Sequence, residues 1–100
     1  MKTLAVTHIA DLKNAVVDFL GRDNARVFLF GSRARGDNAD VSDVDIGIVP
    51  GEGFRRGKLA LLREFIENLN VPYKVEIVDF SEVSDQFRKE ALKDAVLWKE

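Results

Sequence analysis

The chain has no cysteine. That absence excludes disulfides, thiolate chemistry and zinc held by sulfur. It has one histidine, His8, too few for a histidine-rich metal site. Any metal must then be held mainly by oxygen, which favours magnesium, calcium or manganese. There are two prolines, Pro50 and Pro72, and both fall between periodic segments. No apolar run approaches the roughly 20 residues needed to span a bilayer, and the start, "MKTLAVTHIADLK", is no exception. A cytoplasmic location without membrane attachment is therefore expected. Net charge is only −2, so the strongly basic signature of a nucleic-acid-binding domain is missing, and no direct nucleic-acid binding is expected.

With 100 residues, 46% of them hydrophobic, the chain has enough apolar material for one core and reads as a single domain over 1–100. No repeat or low-complexity segment divides it. Helix and strand signals alternate, which points to an α/β (α+β) layer structure. Ile9, Leu12, Val16 and Phe19 recur at helical spacing, so a first helix is predicted from Ile9 to Leu20, with Gly21 as its stop. "ARVFLFG", Ala25 to Gly31, reads as a buried strand. A single helical turn follows from Ser32 to Arg35, ended by Gly36, and then a polar loop from Asp37 to Ser42.

"DVDIGIV", Asp43 to Val49, is the second predicted strand. Phe54 to Leu69 reads as a helix with Leu59, Leu62, Ile66 and Leu69 on one stripe. "PYKVEIVDF", Pro72 to Phe80, is the third strand. Ser81 or Ser84 can cap a last helix running to about Leu97, with Phe87, Ala91 and Ala95 on one line. The expectation is a small mixed sheet of three to four strands with helices packed on one face.

The chemistry concentrates in "GSRARGDNADVSDVDIGIV", Gly31 to Val49. Side chains two apart on a strand point the same way, so Asp43 and Asp45 project together. Their mutual repulsion raises one pKa unless a cation compensates. Glu76 follows the same alternation on the third strand. If the two strands are neighbours, three carboxylates converge and form a hard-oxygen site suited to magnesium. At the other end, Gly31 lets backbone approach a phosphate closely. The Ser32 hydroxyl and nearby N–H groups can bind phosphate oxygens, and Arg35 can add a full charge.

These residues resemble the signature of the polymerase-beta-type nucleotidyltransferases: a Gly-Ser pair, about ten residues, then Asp-x-Asp. Gly-Ser-x-Ala-Arg-Gly with Ser-Asp-x-Asp is similar to the minimal nucleotidyltransferases, and the resemblance covers essentially the whole chain. It implies the polymerase-beta-like fold. Gly31 and Ser32 match the phosphate-binding pair, with Arg35 beside them. Asp43 and Asp45 match the paired metal ligands, and Glu76 falls where the family has a third aspartate.

The resemblance further implies two magnesium ions, ATP as substrate, and transfer of AMP to a hydroxyl with release of pyrophosphate. Minimal members are antitoxins that pair with an all-helical HEPN partner, so a protein acceptor and a hetero- or homo-oligomer are expected. The alternative is a catalytically weak module that neutralises its helical partner by contact alone. Transfer to a small molecule is a third reading, disfavoured by the lack of a second domain.

Other residues have plainer readings. Asp79 is one residue out of phase with Glu76 and reads as loop or cap. Arg33 and the basic stretch "FRRGK", Phe54 to Lys58, read as solvated. His8, Tyr73, Phe80 and Trp98 read as packing residues.

Overall fold

The computed structural model describes residues 9–35 and 43–100. His8, Gly36 and the loop Asp37 to Ser42, all singled out in the sequence, lie outside the described residues. The elements run α1 (Ile9–Leu20), β1 (Ala25–Phe30), α2 (Ser32–Arg35), β2 (Val44–Pro50), α3 (Gly57–Glu67), β3 (Val75–Asp79), α4 (Asp85–Lys93) and β4 (Val96–Lys99). The four strands form one mixed sheet in the order β3-β2-β1-β4. β1 pairs antiparallel with β2 and with β4, and β2 pairs parallel with β3.

One helical layer follows directly from periodicity. Leu12, Val16 and Leu20 of α1 and Leu59, Leu62 and Ile66 of α3 are buried. They meet the inward side chains of the sheet, Val27 and Leu29 from β1 and Val44, Ile46 and Ile48 from β2. Phe19 and Phe65 stack at 4.8 Å and join the two helices. α1 ends where predicted. Gly21 takes φ +52, which an L side chain disfavours, and its N–H reaches the Val17 carbonyl at 2.9 Å.

The other face of the sheet carries less cover. Residues alternate along a strand, so Phe30 and Gly47 face away from the helical core. Phe80 is fully buried there, and a Cβ on Gly47 would come within 2.4 Å of its ring. Phe87 of α4 completes this second cluster, edge-on to Phe30 at 6.1 Å and to Phe80 at 6.4 Å. α4 itself buries no residue.

The C-terminal end differs from its sequence reading. The last helix stops at Lys93 rather than near Leu97, and Val96–Lys99 forms a strand. The open side of β1 offers unpaired backbone groups, and Trp98 is buried in the main core once Val96–Lys99 pairs there. Ser84 caps α4, accepting a hydrogen bond from the Phe87 N–H at 3.1 Å. α3 starts three residues later than predicted, at Gly57 instead of Phe54.

Candidate active site

β1 ends at Phe30, and Gly31 turns the chain into α2. Gly31 has φ +79, and a Cβ there would lie 2.4 Å from Asp45 Oδ2. The bend therefore touches the carboxylate directly. Gly31 must be glycine for two reasons, its backbone conformation and the acid beside it. The Ala34 and Arg35 N–H groups bond back to the Gly31 carbonyl at 3.1 and 3.2 Å, which closes the turn opened by Ser32.

The sheet register supplies the second acid. In the parallel β2–β3 pair, Asp45 lies opposite Glu76. Neighbouring strands are about 4.8 Å apart and partners point to the same face, so the two carboxylates stand side by side. In the antiparallel β1–β2 pair, Asp45 lies opposite Phe30. Asp45 is thus flanked by Glu76 on one side and by the Phe30–Gly31 turn on the other. Asp43 sits exposed just before β2 begins.

The electrostatics report this crowding. Burial, then the charges of Glu76 and Asp43, push the Asp45 carboxyl above its ordinary 3.8, against the opposing pull of Arg35 and Lys74. Among the described residues, no three acidic or histidine side chains close on one point where a metal ion could sit. The fold places Gly31, Ser32, Arg35, Asp43, Asp45 and Glu76 at one end of the sheet, but the three carboxylates expected to converge do not close on one point, because Asp43 precedes the strand and only Asp45 and Glu76 are held in register. Lys74 was not singled out in the sequence, yet it lies two residues before Glu76, and the same strand alternation points to it.

Asp79 does not join the group. It pairs with Ile48 at the far end of the β2–β3 ladder and is buried, its side chain only 6% exposed. Its Oδ1 accepts hydrogen bonds from the Ser81 N–H at 2.9 Å and hydroxyl at 2.6 Å, the capping role expected of it. Arg56 lies 3.8 Å from its other oxygen. Lys58 pairs with Asp23 at 3.3 Å and lies over the Phe19 ring. Two members of the basic stretch are thus engaged in holding loops, not simply solvated. Arg33 likewise sits 5.0 Å from the centre of the Tyr73 ring, in a cation–π contact. Tyr73 is partly buried, and that burial raises its hydroxyl pKa.

A glycine bend thus lies against an aspartate, with a second acid in register on the next parallel strand. The family described as Polymerase beta, Nucleotidyltransferase matches residues 15–100, and the chain belongs to it. A solved structure of a minimal nucleotidyltransferase superposes with a TM-score of 0.71 at 29% identity, covering 88% of this chain and 90% of that one. The chain is 30% identical over 63 residues to a Haemophilus influenzae protein named probable protein adenylyltransferase MntA, and it spans 55% of that relative's length. A toxin–antitoxin structure with AMP-PNP shares the fold, with a TM-score of 0.65 at 19% identity over 86% of this chain and 71% of that one. No described helix is long and apolar enough to cross a membrane.

Proposed function

We propose that this nucleotidyltransferase domain moves AMP from ATP onto a hydroxyl of a protein partner, with magnesium, as the antitoxin of a toxin–antitoxin pair. The observation that carries the reading is the placement of Asp45 between Gly31 and Glu76. The adenylyltransferase name of the Haemophilus relative and the toxin–antitoxin assemblies of the same fold support the choice of acceptor and partner. A helical HEPN-type toxin remains the partner of choice on the motif resemblance.

The donor set suits magnesium. It offers only oxygen, and Asp45 is raised above its ordinary pKa first by burial and then by the neighbouring charges of Glu76 and Asp43, charges that a cation would offset. Asp43, Asp45 and Glu76 would hold the ions, two in the family pattern, which supply charge neutralisation at the phosphates and a more acidic acceptor hydroxyl. Gly31 and Ser32 take the phosphate tail, with Arg35 adding charge. Glu76 receives the proton of the acceptor hydroxyl. The hydroxyl oxygen bonds to the α-phosphorus, the bond to pyrophosphate breaks, and pyrophosphate leaves. The protein's contribution is alignment, since errors of about 1 Å can cost roughly 100-fold in rate.

Incubation with α-labelled ATP, magnesium and the helical partner should transfer label to the partner. Absence of label with both the wild type and a Glu76→Asp variant would overturn this function.

A further inference from the structure

A cleft of about 250 Å³ opens beside the proposed phosphate grip, between the Gly31–Arg35 turn and one face of α4. Whole-ligand pockets usually measure about 300–1,000 Å³, so this volume suits one part of a ligand. Phe87, Glu90, Ala91 and Asp94 line it from the α4 side. Their spacing places all four on a single helical face. Phe87 is 44% exposed, yet edge-on contacts with Phe30 and Phe80 fix its ring. Ala91 leaves the floor low. Glu90 and Asp94 supply acceptors, and Lys93, which also lines the cleft, has its amine paired with Glu90 at 3.2 Å.

We propose that this cleft seats the base of the nucleoside triphosphate, with Phe87 as its stacking surface and Glu90 and Asp94 favouring a base that carries an exocyclic amine. The proposal rests on the nucleotidyl-transfer reading and extends it to base choice. Continuity argues for this occupant. The cleft shares Gly31 and Arg35 with the phosphate grip, so a nucleotide held there by its phosphates has its remaining parts within reach. A fixed exposed ring stacks on any base, and carboxylates accept from the amine of adenine while repelling the carbonyl edge of uracil.

Calorimetric titration of the full chain with the magnesium complexes of ATP, UTP and inorganic tripolyphosphate tests this. The wild type should bind ATP more tightly than UTP. Phe87→Ala should lose about tenfold or more in ATP affinity, the scale of one base–aromatic stack, and keep its tripolyphosphate affinity. Phe87→Tyr should behave as the wild type. Ala91→Leu, which fills the cleft and leaves the ring contacts alone, should show the same split if Phe87→Ala does not fold. Unchanged ATP affinity in these variants, or equal losses for ATP and tripolyphosphate, would overturn the base site alone. Equal wild-type affinity for ATP and UTP would overturn the role of the carboxylates. A wild type that binds neither ATP nor tripolyphosphate would overturn the nucleotide site itself.

Discussion

Gly31 has no room for a side chain, and the obstacle is the catalytic candidate Asp45. Gly31→Ala meets two separate costs. The left-handed backbone costs an L residue about 1–2 kcal/mol of stability. The new methyl must also push aside the Asp45 carboxylate, which can move because it ends a side chain. We therefore expect a modest stability loss in urea unfolding with a much larger loss of AMP transfer, on the order of 100-fold for a displacement near 1 Å. Equal transfer by Gly31→Ala and wild type would refute the contact's importance. Asp45 itself carries a pH signature. Its folded pKa lies above the ordinary 3.8, so folding favours its protonated form. That contribution is fully present below the unfolded pKa and is lost as pH rises through the folded value. Asp45→Asn cannot ionise. In chelator, it should melt above the wild type at neutral pH, and the gain should vanish in scans taken below about pH 3.8.

Among the elements, β4 shows best how context overrides a local pattern. Phe87, Ala91 and Ala95 repeat at helical spacing, and no proline or glycine stops the helix after Lys93. Nothing local marks Val96–Lys99 as a strand. The free edge of β1 and the core site for Trp98 decide it. Lys99 then secures the end, its amine donating to the Asp23 carbonyl at 2.8 Å and the Ala25 carbonyl at 3.1 Å. Trp98→Ala should cost about 3–5 kcal/mol in urea unfolding, the scale for emptying a buried aromatic site. A loss below 1 kcal/mol would mean that β4 is not part of the cooperative core. By contrast, α1 and β2 were legible in the sequence, because the period of the apolar residues matches the element that buries them: 3.6 for Leu12, Val16 and Leu20, and 2 for Val44, Ile46 and Ile48.

On the scale of the whole molecule, chemistry and contact are separable properties. A contact-only antitoxin stays a live second reading because Glu76 stands where the family pattern has an aspartate, one methylene shorter. Asp43→Ala with Asp45→Ala discriminates. An enzyme should lose both partner labelling and neutralisation, whereas a contact module should still neutralise in a toxicity assay. The acidic end of the sheet is local, so the double substitution leaves the α1–α3 core untouched.

The sequence alone determined which side chains were available and which way neighbours within one segment point: Gly31 beside Ser32, Val44, Ile46 and Ile48 on one side of β2 with Asp45 on the other, apolar stripes on α1 and α3. Those are consequences of fixed local periods. Only the tertiary structure decided that β3 lies parallel beside β2 with Glu76 opposite Asp45, that the glycine bend presses on that same acid, and that Asp79 turns away. Such pairings depend on register between distant segments, where a slip of one residue reverses every face, and no local period sets that register.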